Sequence, residues 1–152
     1  MSELAERRTL IFTGLNDVMP EVDRLLLGYR TLGAWSLGQV CNHLSAAIIG
    51  SVEGFPFGPP PILRKTVGPM LFRRMLRNGK FPQGVKIPAE FEPGPGLDDR
   101  AEAEALRASI NYFRAHGGPW AEHPVGGPIT RESWDQFHAL HAAHHLSLIL
   151  PE

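Results

Sequence analysis

Sixteen glycines and fourteen prolines punctuate the chain, and their placement constrains the fold more than any other feature. Proline lacks a backbone donor and clashes inside a helix, and glycine weakens one, so both collect where regular structure stops. Asn16 and Asp17 can cap a first helix whose opening turn holds Pro20. Val18, Met19, Val22, Leu25, Leu26 and Tyr29 then recur at helical spacing up to Arg30. Ser36 is placed to cap a second helix, LGQVCNHLSAAIIGSV, running to Glu53 with Leu37, Val40, Cys41, Leu44, Ala47 and Ile48 on one stripe. The segment FPFGPPP at 55–61 excludes helix and central strand alike.

A weaker third helix is expected over Val67 to Arg77, followed by a stretch from Asn78 to Gly96 that glycine and proline break again. Asp98 or Asp99 caps a fourth helix that Gly117-Gly118 ends, and Thr130 caps a last one that Pro151 ends. No segment carries a convincing period of two. These patterns predict an all-α fold, an up-and-down four-helix bundle with long Gly/Pro-rich loops, as a single domain over residues 1–152.

The charge balance excludes several function classes. Net charge is -1, so the chain as a whole has no bias toward nucleic acid or acidic membranes. No apolar run approaches the roughly 20 residues that span a bilayer, and MSELAERRTL lacks the apolar stretch of a signal peptide. The single cysteine, Cys41, excludes an intramolecular disulfide framework. A cytoplasmic protein without a membrane partner is expected.

Four of the seven histidines, His138, His141, His144 and His145, crowd into about two turns of the last helix. Residues four apart lie on one helix face, so His141 and His145 pair, and His141 shares its face with Trp134, Phe137 and Leu148. An imidazole on an otherwise apolar face is buried and needs partners for both ring nitrogens. Two neutral imidazoles converging on a cation meet that need, and His43 is the one histidine on another predicted helix interior. Three nitrogens would leave a coordination position open for water or substrate. Two hydrogen-bonded or half-exposed histidines give the same pattern, and periodicity does not choose between His144 and His145.

The segments AWSLGQVCNHLS at 34–45 and ITRESWDQFHALHAAHHLSLIL at 129–150 resemble the DinB-like (YfiT-like) metalloprotein superfamily. The first is similar to its tryptophan-serine helix start followed by a histidine; the second is similar to its His-x-x-x-His helix. A poorly characterised branch, with a Thr-x-x-x-Trp start and a His-x-x-His-His-Leu ending, is the nearest, and HPVGGPIT at 123–130 resembles its preceding loop. Carried over, the metal ligands are His43, His141 and His145, with His144 a neighbour that does not ligate. Leu146-Ser147-Leu148 departs from the more polar residues that usually follow the last histidine. The resemblance implies a divalent-metal enzyme, a transferase or hydrolase acting on a thiol-containing or small anionic substrate, or else a non-catalytic helical metal-binding or dimerisation module. Imidazole ligands suit zinc, nickel or iron. A homodimer is expected as the assembly.

Other residues read more plainly. His123 reads as a loop residue, His116 as a helix C-terminal cap, His138 as a flank of the cluster, Cys41 as a small core residue, and Trp35 and Trp134 as core or interface. Glu53, Glu122 and Asp135 are equal candidates for acid–base work, so the catalytic residues are unassigned. Arg64, Lys65, Arg73, Arg74, Arg77, Lys80 and Lys86 form a basic stretch with no acid between Glu53 and Glu90, and Glu90, Glu92, Asp98, Asp99, Glu102 and Glu104 follow it. Pairing of the two stretches, within the chain or across a dimer, is the expected role. No nucleic-acid-binding motif accompanies the basic residues, so nucleic acid is not expected as a partner.

Overall fold

A computed structural model describes residues 6–81 and 88–152. Lys86 of the basic stretch lies outside them. The chain is mostly helical with one small two-stranded sheet. A 3-10 turn at Leu15–Asp17 leads into α1 (Val18–Leu25), followed by β1 (Tyr29–Thr31), α2 (Leu37–Glu53), α3 (Pro61–Lys65) and α4 (Val67–Asn78). A 3-10 turn at Ala89–Phe91 precedes α5 (Asp99–Ala115), α6 (Arg131–Leu146) and β2 (Ile149–Pro151).

The caps fall where the side-chain chemistry puts them. Ser36 accepts from Gln39 N at 3.2 Å while Gln39 Oε1 accepts from Ser36 N at 2.9 Å, a reciprocal box that satisfies two donors at the start of α2. Asp98 Oδ1 accepts from Ala101 N at 2.8 Å and Thr130 Oγ1 from Ser133 N at 3.1 Å. With Asp98 as the cap of α5, Asp99 is released for another task. Its Oδ2 accepts from Tyr29 Oη at 2.9 Å and its Oδ1 from Gly38 N at 2.8 Å, while Tyr29 Oη accepts from Leu37 N at 3.1 Å. One carboxylate therefore ties the small sheet and the starts of α2 and α5 together. Gly38 permits that approach, because a Cβ there would lie 2.9 Å from Asp99 Oδ1.

Two boundaries differ from the sequence expectation. The first helix stops at Leu25 rather than Arg30, and the last stops at Leu146 rather than Leu150. The residues released pair antiparallel, Tyr29 with Pro151, Arg30 with Leu150 and Thr31 with Ile149. Backbone pairing between these two distant segments wins over local helical periodicity, and Pro151 sits at the end of its strand, where its missing donor is tolerated. A short helix the sequence did not suggest, α3, starts at Pro61, the first-turn position that proline favours.

α2 lies along α5 and also packs on α6; α1 touches α5, α6 and β2, and α4 rests on α6. Val18, Val22, Leu25, Leu37, Leu44, Leu106, Ile110, Phe113, Trp134 and Leu146 are buried between these elements. Each large side chain so buried contributes about 1.5–3 kcal/mol.

Removing the Asp99 carboxylate leaves Tyr29 Oη and Gly38 N short of an acceptor. Asp99→Ala is expected to lower the unfolding free energy by about 2 kcal/mol, read as the shift of a urea midpoint at constant m-value. A shift within error of zero would show that the tie is dispensable.

Candidate metal centre

His43 projects from α2, and His141 and His145 from successive turns of α6. The structure brings these three rings together, with one nitrogen of each within 4.8 Å of the others. His43 Nε2 lies 3.0 Å from His141 Nε2, and His145 Nε2 lies 3.2 Å from the same atom. A tetrahedral cation with nitrogens at 2.0–2.1 Å holds neighbouring ligands about 3.3–3.4 Å apart. The two edges through His141 are close to that spacing.

The protons on these rings explain why the arrangement suits a cation. His43 Nδ1 donates to the Phe91 carbonyl at 3.2 Å, which leaves Nε2 with a lone pair facing the cluster. If His141 Nε2 carries a proton, one donor must serve two acceptors. If it does not, it meets the His43 lone pair head-on. Neutral imidazoles cannot make two full hydrogen bonds here, whereas a cation accepts all three lone pairs. Burial also keeps the rings neutral, as ligands must be. It pushes His43 below the usual imidazole range and His141 well below it, and takes His145 down to about 3, where the charges of His43, His144 and Arg7 add to burial.

His144 is turned to other work. The Arg7 guanidinium, which can only donate, reaches His144 Nδ1 at 3.1 Å and the His144 carbonyl at 2.7 Å, and its Nε donates to Ser147 Oγ at 2.7 Å. Arg8 donates to the Leu146 carbonyl at 3.1 Å. Two arginines thus satisfy carbonyls at the end of α6, a favourable place for positive charge. Burial and the neighbouring Arg7 hold His144 down at about 4.

Aromatic rings enclose the cluster. Trp35 stacks on His145, with ring centres 5.4 Å apart and planes at 24°, and lies 5.0 Å from His43. Phe81 stacks on His141 at 5.1 Å and Phe137 on its ring at 5.4 Å. Trp35 was expected as core or interface; it is half-buried at the site instead. Arg7, Phe81 and Phe91 had no sequence signal, since all three lie outside regular helices and reach the site only through tertiary packing.

The remaining candidates lie elsewhere. Glu53 accepts from Tyr112 Oη at 3.3 Å, Glu122 pairs with Arg64 at 3.8 Å, and Asp135 accepts from Leu15 N at 3.0 Å. Cys41 is buried, and burial pushes its thiol up to about 12, which suits core packing rather than nucleophilic chemistry. Trp134 is fully buried. His116 sits at the C-cap of α5 and donates to the Pro119 carbonyl at 2.8 Å. His138 is a core residue rather than a flank. Its Nε2 donates to Ser51 Oγ at 3.0 Å, because that hydroxyl gives its own proton to the Ile48 carbonyl. His123 Nδ1 accepts from Val125 N at 3.1 Å and Gly126 N at 3.0 Å.

The comparisons with known proteins come to one finding. A family model described as a protein of unknown function (DUF1569) matches residues 4–152, and the chain belongs to that family. No curated protein and no solved structure matches it.

Burial takes His123 and His138 down to about 3, with the charge of His123 adding to the effect at His138. As pH falls below about 6.5, each ring is protonated in the unfolded chain and stays neutral in the folded one. Stability therefore falls with pH in this window. Unfolding free energy is expected to drop by about 1 kcal/mol per ring between pH 6.5 and 5.5, and His138→Asn should remove one such increment from the slope. A flat profile in denaturant titrations would contradict the neutral assignment.

Proposed function

We propose that this chain is a divalent-metal-dependent protein of the DinB-like type. His43, His141 and His145 hold the ion, and one coordination position stays open for substrate. In this reading α1, α2, α5 and α6 are the four helices of the bundle, and residues 1–152 are one domain. The observation that carries it is the convergence of three Nε2 atoms whose protons cannot satisfy one another. The donor set suits zinc, nickel or iron. When bound, such an ion would make a coordinated thiol or water a nucleophile near neutral pH.

The chain's own residues prepare that chemistry. The Phe91 carbonyl fixes the tautomer of His43, and Arg7 and Arg8 hold the end of the helix that carries the other two rings. Trp35 and Phe81 give the approach an apolar wall, which suits a thiol-containing substrate. Arg7, close enough to His145 to disfavour its protonation, also favours a small anionic one. Transfer or hydrolysis is the reaction class that the resemblance suggests. All three nitrogens come from one chain, so a homodimer is not needed to complete the site. No helix among the described residues is long and apolar enough to cross a membrane.

A non-catalytic helical metal-binding module is the second reading. It is favoured by one observation: among the described residues no carboxylate bonds to the three rings or stands ready as a base beside them.

Protein purified without a histidine tag is expected to carry about one divalent ion per chain, by elemental analysis, in keeping with a single three-histidine site. His141→Ala should lose it. Metal at a hundredfold its Kd should raise the unfolding free energy of the unsubstituted protein, first stripped of metal, by about 2.7 kcal/mol and leave His141→Ala unmoved. Sub-stoichiometric traces of every ion, unchanged in His141→Ala, would end the metal reading.

A further inference from the structure

We infer that the outer face of α3 and α4 docks on an anionic lipid surface. The inner face of α4 is fixed: Phe72 is buried against His123 and Phe137, with ring centres 4.4 and 5.7 Å away. Gly68 lies so close to the Val125 carbonyl that a Cβ there could not fit. The opposite side is uncovered. Ile62 is 70% exposed and Met70 61%, and Leu63, Val67 and Leu71 are exposed beside them. At helical spacing Met70 falls between Arg73, Arg74 and Arg77, so apolar and cationic side chains alternate over one surface rather than forming separate stripes.

Among the described residues, only one of these cations has a carboxylate partner. Arg64 pairs with Glu122, but no carboxylate of a described residue lies within 4 Å of Lys65, Arg73, Arg74, Arg77 or Lys80. The described acids that follow at 98–104 are engaged elsewhere. Asp98 caps α5, Asp99 holds Tyr29 and Gly38, Glu102 accepts from Asn42 at 3.1 Å, and Glu104 pairs with Arg107 at 3.4 Å. Pairing of the basic and acidic stretches within the chain, as expected from sequence, is not found among the described residues.

A second copy meeting this face with its own would oppose arginine to arginine. A nucleic acid would use the cations and leave five exposed apolar side chains without a role. An anionic bilayer uses both kinds, the apolar groups entering the headgroup boundary and the arginines reaching the phosphates. The face lies on such a surface and does not cross it.

Sedimentation of the full chain with vesicles tests this. The protein should pellet with phosphatidylcholine vesicles containing phosphatidylserine at low salt, and much less at high salt. Arg74→Gln with Arg77→Gln should weaken partition roughly 30-fold, and Met70→Gln with Leu71→Gln should weaken it at either salt. All four side chains point to solvent, so circular dichroism should show the fold intact. Absence of binding to the phosphatidylserine vesicles, or equal binding to phosphatidylcholine alone, overturns the inference. So does a preference for duplex DNA over the vesicles, or self-association that the same substitutions abolish without any vesicle binding.

Discussion

Two imidazole nitrogens facing a third across about 3 Å pose a problem that hydrogen bonding alone does not solve, and much of the structure is arranged to hold them there. His43 has already given its Nδ1 proton to the Phe91 carbonyl, so it brings only a lone pair. Burial keeps all three rings neutral, and aromatics stack on His141 and His145. Buried polar groups without partners are costly, on the order of 1–3 kcal/mol each. A cation could take all three lone pairs at once.

Bringing α2 and α6 together in register is the task of the rest of the fold. α2 is positioned at its start by the Ser36–Gln39 box and by Asp99, which reaches across from α5 to Gly38 and Tyr29. Tyr29 belongs to the strand that pairs with the last residues of the chain, directly after α6. The end of α6 is also held by Arg7 and Arg8. Both histidine-bearing helices are thus tied, through backbone pairing and charge-assisted bonds, to the same corner of the molecule. Small displacements of either helix are resisted by contacts well away from the rings.

Much of this was legible in the sequence, for identifiable reasons. Capping is a local signal, so Ser36, Thr130 and the break at Gly117-Gly118 marked helix ends near where they occur. The i,i+4 relation of His141 and His145 is likewise local. What separates His145 from His144 is Arg7, at the far end of the chain, and no periodicity could report it. The two strands failed for the same reason: each is three residues long and has meaning only beside the other. The aromatic wall was invisible because Phe81 lies in an irregular segment, and because Trp35, just ahead of α2, carried no signal of which way its ring turns.

The central claim is that the three Nε2 atoms are ligands rather than a strained hydrogen-bonded cluster. X-ray absorption at the edge of the metal that copurifies with the untagged chain addresses it directly. Three imidazole nitrogens at about 2.0–2.1 Å, with one oxygen or sulfur scatterer completing the shell, are expected. A six-oxygen shell without imidazole scattering would show that the ion sits elsewhere and that His43, His141 and His145 are not its ligands.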